Sequence, residues 1–320
     1  MDLSIVIVSY NTKDLTDNCL SSIYHNADIA GIEIIVIDNA SSDGSADFIM
    51  SKYPQVRLGT NDQNVGFAKA CNQGIRCSSG KYLFFLNPDT YVTENVFKTV
   101  ITFFEHNPEV GMAGCHLYYP NGRPQRSFFK FTSISNLMGR SLLLNAILPQ
   151  NKITNIFFPG YPENEIPKYV DRVYGAAMIA RKEALEKAGL FDESYFMYSE
   201  EEDLCFRIRK AGWLIAPIPD SRVFHYQNQS TISNLRKSLF SSYQGQFLFY
   251  RKFHSFPRIL FFRLIQLAGM PLRILFWSIV FVSNPTGREM AKQRLLAYLS
   301  IGLSNFDYSK CLLDKKNPCV

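Results

Sequence analysis

The sequence predicts an α/β fold: a Rossmann-like, mostly parallel sheet flanked by helices, followed by a helical C-terminal extension. Three observations predict it. Short apolar runs alternate with segments of helical spacing over residues 3–119, the pattern of strands joined by crossover helices. The runs are nearly continuous rather than alternating, as expected of strands covered on both faces. The 320-residue chain also changes character near residue 230: beyond it stand 13 Lys and Arg against three acids, leaving 21 against 25 before it. The expected division is a slightly acidic domain over residues 1–230 and a basic, apolar helical extension over 231–320.

The elements follow in order. "LSIVIVSY" (3–10) is the first strand, and "LTDNCLSSIYHN" carries Leu15, Cys19, Leu20 and Ile23 at helical spacing. "IEIIVIDN" (32–39) is the second strand, with a helix around "GSADFIMSKY" and a short strand near "VRLGTN". Helix 65–78 leads into "YLFFLNPDTYV" (82–92), where a buried strand ends abruptly in a polar knot. Helix 94–106, strand 110–119, strand "VYGAAMIAR" and helix "KEALEKAG", capped by Gly189, continue the alternation.

In parallel α/β sheets, ligands bind beyond the carboxyl ends of the strands. The polar residues expected there are Ser9, Tyr10 and Asn11 after strand one; Asp38, Asn39, Ser41, Asp43 and Gly44 after strand two; Asn64 and Gly66 before the third helix; and Asn87 and Asp89 after "YLFFL". Singly, each has an ordinary reading as a loop or cap residue; the group at one sheet edge calls for a ligand. No GxGxxG or GxxxxGK[ST] occurs, so neither a dinucleotide fingerprint nor a P-loop is available. Asp38 is suited to accept hydrogen bonds from a base N–H. Asp89 is suited to a hard divalent cation, Mg²⁺ or Mn²⁺, which takes one or two carboxylates and completes its shell with substrate phosphate and water.

A third cluster is "SEEEDLCFRIRKAG" (199–212). Successive helical residues point ~100° apart, so its four acids cannot share one role. Ser199 and Glu202 have capping-box spacing, and acids in a first turn also favour the helix dipole. Glu200 and Glu201 remain as the candidates to face the cleft, with Asp203 a turn below. His225, in "RVFHYQNQS", ends another apolar stretch; a lone His is more often structural than a ligand.

The order "VSYN", "IDNASSDGS", "NVGFAKACNQG", "LNPD", "GAAMIAR", "FDESYFMYSEEEDLCFR" and "HYQNQS" resembles the family 2 inverting glycosyltransferases of the GT-A fold. Within them it is most similar to bacterial rhamnosyltransferase-like enzymes that build O-antigen and other surface polysaccharides. The resemblance spans about residues 3–230 and implies a catalytic domain over 1–230, with a nucleotide-binding half over about 1–118 and an acceptor half over about 119–230, in which the stretch 120–170, rich in Pro, Asn and aromatics, forms the acceptor side and a mobile lid. It implies that "NPD" is the DxD-type motif, with Asp89 toward the metal and Asn87 where many relatives carry the first acid. It implies that Asp38 reads the base, that Ser9, Tyr10, Asn11, Asn39, Ser41, Asn64 and Gly66 line the nucleotide, and that His225 reaches the metal or diphosphate. The catalytic base falls on Glu201, where most relatives have Asp, with Glu200 left open as the alternative; the base is expected to stay ionised at neutral pH. The implied donor is a UDP- or dTDP-sugar and the implied acceptor a glycan or a lipid-diphosphate-linked sugar. A nucleotidyltransferase lacks its basic Gly-rich loop here. A non-catalytic sugar-nucleotide-binding partner would bind the donor without turnover.

The extension contains "FPRILFFRLIQLAGMPLRILFWSIVFVSNP" (256–285). A spanning helix wants ~20 largely uncharged residues, and a mid-span charge costs at least ~2.5 kcal/mol, so Arg273 argues for helices lying in the headgroup layer. Basic residues interleaved with long aliphatics disfavour a nucleic-acid partner. Seven scattered cysteines without a CxxC pair and an N-terminus without signal-peptide character predict reduced thiols and a cytoplasmic protein, peripheral on the membrane.

Overall fold

The computed structural model of the chain describes residues 2–26, 31–226 and 235–304. β1 (Leu3–Ser9), α1 (Lys13–Asn26), β2 (Ile32–Asp38), α2 (Ser45–Lys52), β3 (Arg57–Thr60) and α3 (Phe67–Cys77) open the fold. β4 (Tyr82–Leu86), β5 (Thr90–Val92), α4 (Val96–His106), β6 (Val110–Tyr118), β7 (Phe128–Phe129), α5 (Ile134–Ser141) and α6 (Leu144–Ile147) follow. Then come β8 (Arg172–Val173), β9 (Ala177–Arg181), α7 (Lys182–Ala188), α8 (Glu200–Lys210) and β10 (Leu214–His225), and finally α9 (Leu235–Phe253), α10 (Phe256–Ser283) and α11 (Arg288–Ser304).

The chain divides into two compact units, one of residues 1–131 and 160–230, the other of 132–159 and 231–320. The first is built on an eight-stranded sheet of order β3-β2-β1-β4-β9-β6-β10-β5, with β9 and β5 antiparallel to their neighbours. β1 lies between β2 and β4, and Leu3, Ile5 and Ile7 are fully buried. Burying an Ile or Phe side chain contributes roughly 1.5–3 kcal/mol, so this fully buried strand, polar only at Ser4 and Ser9, anchors the sheet. Gly189 closes α7 at φ 78°, the positive-φ helix end expected of it.

Two elements differ from the sequence reading. The polar knot at 87–89 is a turn, closed by Thr90 N–H donating to Asn87 O at 3.2 Å, from which β5 leaves to pair with β10. Three residues are too few for a periodic signal. "VYGAAMIAR" is not one strand: Tyr174, Gly175 and Ala176 separate β8 from β9.

In the second unit, α9, α10 and α11 pack on one another and α5 packs on α10. A Cβ on Gly269 would fall 2.4 Å from Ser141 O, so only glycine permits this approach of α10 to α5. Arg273 lies on the packed face of α10, not the outward one. It is buried, its guanidinium stands 5.6 and 5.5 Å from the Tyr243 and Tyr298 rings, and Nη2 donates to Arg140 O at 2.8 Å. Burial pushes it down to about 10. The opposite face exposes Phe256, Leu260, Leu264, Leu275, Ile279 and Val282. Among the described residues α10 alone is long and apolar enough to cross a membrane, with mean hydropathy 1.7. Cys19, Cys71, Cys77, Cys115 and Cys205 are free thiols; Cys311, Cys319 and the "QNQS" of the last motif lie outside the described residues.

Candidate active site

The sheet register assembles the site. Ser9 pairs with Asp38 and Ile7 with Leu86, so the ends of β1, β2 and β4 lie side by side. Ser9 turns inward: its hydroxyl sits 3.1 Å from both Thr12 Oγ1 and Thr16 Oγ1 under α1. Tyr10 is exposed. Asn11, at φ 52°, joins the two strand ends, its N–H donating to Ser41 Oγ at 2.9 Å and its Oδ1 accepting from Ser42 N–H at 2.8 Å. Asp38 is buried; Oδ1 accepts from Ser41 N–H at 2.9 Å, and Oδ2 has no partner. An unsatisfied buried acceptor costs about 1–3 kcal/mol, so a ligand donor at Oδ2 would recover it. That fits a base N–H.

Asn39 braces the loop through both ends of its side-chain amide, and Asn64 joins it through Oδ1. Asn39 Nδ2 donates to Asn64 Oδ1 at 2.8 Å, and Asn39 Oδ1 accepts from Val65 N–H at 3.0 Å and from Asn61 Nδ2 at 3.1 Å. Asn64 Oδ1 also accepts from Gly66 N–H at 3.0 Å. Gly66 has φ 87°, and a Cβ there would meet Phe196 O at 2.7 Å. Phe67 N–H donates to that carbonyl at 2.8 Å, pinning the loop to the segment that precedes α8.

At the β4 tip, Asn87 contributes backbone contacts: its N–H donates to Ala176 O at 3.0 Å, and its carbonyl accepts from Thr90 Oγ1 at 2.7 Å. Pairing of β5 with β10 sets His225 opposite Thr90 and hence beside Asp89, with Nε2 3.4 Å from Asp89 Oδ1. Gln125 Nε2 donates to His225 O at 2.6 Å, which leaves Gln125 Oε1 to accept from His225 Nδ1 at 2.9 Å. In the neutral ring, the Nε2 lone pair then faces Asp89, the arrangement of a metal-ligating histidine held by a neighbour. A carboxylate and an imidazole at this spacing fit two positions of a divalent cation whose remaining ligands come from a diphosphate and water. Among the described residues no group of three or more His, Cys, Asp or Glu side chains forms a complete cage.

The acidic helix departs from the capping reading. Ser199 sits at φ 70°, ψ −3° and its side chain makes no cap hydrogen bond. Tyr198, at φ 70°, precedes it in the same left-handed region. Two consecutive non-glycine residues there cost of order 1–3 kcal/mol each, strain that collects at functional sites. Glu202 is buried within 3.7 Å of Arg172 Nη1 rather than serving as a box partner. Asp203 is ion-paired with Arg207 at 2.5 Å and bonded by the Tyr195 hydroxyl at 3.3 Å, which braces the helix start. Glu201 Oε1 lies 3.0 Å from Arg172 Nη1. Glu200 is buried, and its Oε2 has no partner.

Burial pushes both carboxyls up. Glu200 is raised well above its ordinary range by burial and then by Glu201; Glu201 is raised by burial, with Arg172 opposing. The expectation of an unperturbed, ionised base is therefore modified: two adjacent buried carboxyls resist a double negative charge.

The short segment 172–177 gathers these parts. Arg172 meets Glu201, a Cβ on Gly175 would touch Glu201 Cβ at 3.8 Å, the Tyr174 and His225 rings lie 5.7 Å apart, and Ala176 O holds Asn87. Arg172 and Gln125 escaped the sequence reading. Nothing local marked either, since Arg172 follows Asp171 in an ordinary charged connection before the apolar run.

The family profile described as Glycosyl transferase family 2 matches residues 4–187. Over 265 residues the chain is 27% identical to the N-acetylglucosaminyl-diphospho-decaprenol L-rhamnosyltransferase of Mycobacterium tuberculosis, covering 79% of this chain and 85% of that protein. It is 23% identical over 230 residues to the O-antigen biosynthesis protein RfbC of Myxococcus xanthus, covering 71% of this chain and 17% of RfbC. Among solved structures, the mannosyltransferase PcManGT from Pyrobaculum calidifontis, in complex with GDP-Man and Mn²⁺, aligns with TM-score 0.56 at 15% identity. The alignment covers 98% of this chain and 88% of that one. This last likeness shows the fold, of the GT-A type that the motif order implied.

Proposed function

Because the chain belongs to glycosyl transferase family 2, we propose that it moves a hexosyl or rhamnosyl unit from a UDP- or dTDP-sugar to a hydroxyl of a glycan or lipid-diphosphate-linked acceptor in surface-polysaccharide synthesis. The observation that carries this reading is the Asp89–His225 pair, 3.4 Å apart at the ligand edge of the sheet. Asp38 accepts from the base through Oδ2. Asp89 and His225 hold Mg²⁺ or Mn²⁺, which when bound offsets the charge gathering on the departing nucleoside diphosphate. Glu201 takes the proton of the acceptor hydroxyl while that oxygen bonds to the anomeric carbon and the sugar–phosphate bond breaks. One displacement from the face opposite the nucleotide inverts the anomeric centre. The test is nucleoside diphosphate release from a panel of UDP-, dTDP- and GDP-sugars with Mn²⁺ or Mg²⁺; release from none of them with any glycan or lipid-linked acceptor contradicts the reading.

The second unit suits an acceptor presented at a membrane, which agrees with a cytoplasmic enzyme peripheral on the inner leaflet. Its α10 exposes Leu264 and Ile279 on an apolar face, and the residues beyond 230 are basic. The protein is expected to float with vesicles containing anionic lipid. Leu264→Glu together with Ile279→Glu lowers that partitioning about tenfold or more, since each buried aliphatic contributes roughly 1.5–3 kcal/mol. A wild-type protein that ignores such vesicles at low salt contradicts the membrane role.

A further inference from the structure

We infer that Arg172 is a positioning residue for the transfer step: its guanidinium, shared between Glu201 and Glu202, fixes Glu201 as the carboxylate that accepts the acceptor's proton and leaves Glu200 outside the ion pair. The inference rests on the glycosyltransferase reading and concerns how the two adjacent acids divide their work.

The geometry is specific. Arg172 Nη1 stands 3.0 Å from Glu201 Oε1 and 3.7 Å from Glu202 Oε2, and the guanidinium lies 4.7 Å from the centre of the Phe129 ring, which fixes its plane. Arg172 forms no hydrogen bond or ion pair with Glu200 and lowers it only as a lesser charge, and the buried Oε2 of Glu200 has no partner. The groups that bear on Glu201 are Arg172 from β8 and Glu200, Glu202 and Cys205 from its own helix; Tyr174 bears on Arg172, and Cys71 of α3 faces Glu200. Arg172 is the sole cation in that set. A nearby opposite charge favours the charged form, and a like charge with burial disfavours it. Glu201 therefore loses its proton first, and Glu200 keeps its own, becoming a neutral hydrogen-bond donor to substrate through the unpartnered side of its carboxyl.

The sign of the pH dependence follows. Removing the cation raises the Glu201 midpoint, so transfer in Arg172→Gln is impaired most at low pH and recovers as pH rises through the new midpoint. A one-unit move corresponds to about a tenfold change in the ionised fraction below it. In the full-length protein with ¹³C-labelled glutamate, NMR titration reads the two carboxyls directly, assigned with Glu200→Gln and Glu201→Gln. The wild type is expected to show Glu201 titrating at lower pH than Glu200. Arg172→Gln moves the Glu201 midpoint up by about one unit or more, and Arg172→Lys restores most of the difference. The kcat/KM profile moves in parallel, with the ratio of wild type to Arg172→Gln about tenfold larger near pH 6 than near pH 9. Glu200 titrating below Glu201 in the wild type overturns the inference, whether or not the variants fold. So does a loss of activity in Arg172→Gln that is equal at all pH values, the mark of a purely structural residue. Because the titration needs no substrate, it stands even if no sugar donor is turned over, and that outcome would count against the enzymatic reading alone.

Discussion

Glu201→Gln lowers kcat by about 10²–10⁴-fold, the usual contribution of a positioned general base, while donor affinity is retained. The side chain is mostly buried, paired with Arg172 at 3.0 Å and close to Gly175, whose missing side chain leaves room beside it. Gln keeps the length and one acceptor oxygen for Arg172, so packing survives while proton transfer and the charge of the ion pair are lost. Glu201→Asp retains more activity than Gln, since it keeps the carboxylate one methylene shorter. Steady-state kinetics with donor affinity from calorimetry separate these effects. A Glu200→Gln protein that is dead beside a normal Glu201→Gln protein would assign the base to Glu200 instead.

Asp89→Asn abolishes divalent-dependent turnover, a loss of at least about 10³-fold if the cation carries the leaving-group charge. Asp89 is the lone acid of its turn, and its backbone carbonyl also accepts from Tyr226 N–H at 2.9 Å. The Asn variant keeps that backbone bond and the side-chain shape, so the melting temperature should change little. Activity and Mn²⁺ affinity fall together. Full activity in Asp89→Asn, or in wild type with excess EDTA, would remove the metal from this account.

Much of this arrangement was legible beforehand because its signals are local. β1, β2 and β4 are continuous apolar runs, and the polar residues that follow them land at one edge as the parallel sheet requires. The motif order pointed to Asp89, His225 and Glu201, and the structure brings Asp89 and His225 together through the β5–β10 pairing. What was not legible depends on partners far along the chain. That Asn39 and Asn64 hydrogen-bond one another is not visible from either position alone. Ser199 has the spacing of a cap, but its left-handed backbone puts its hydroxyl out of use. Arg172 finds its acids 29 and 30 positions on, at Glu201 and Glu202. Arg273 reads as a charge in the middle of an apolar helix and proves to be on that helix's packed face. No sequence periodicity could resolve this: α10 is apolar nearly all round, so its pattern does not announce which side is covered.

The central claim is a single-displacement transfer in which a hydroxyl of the acceptor replaces the nucleoside diphosphate. The most direct test is the anomeric configuration of the product, read by proton and carbon NMR after incubation of the full-length protein with its best nucleotide-sugar, Mn²⁺ and a lipid-diphosphate-linked glycan acceptor. One new glycosidic linkage is expected, with configuration opposite to that of the donor sugar. A product that retains the donor's configuration, or a nucleotide exchange that forms no glycosidic bond, would contradict it.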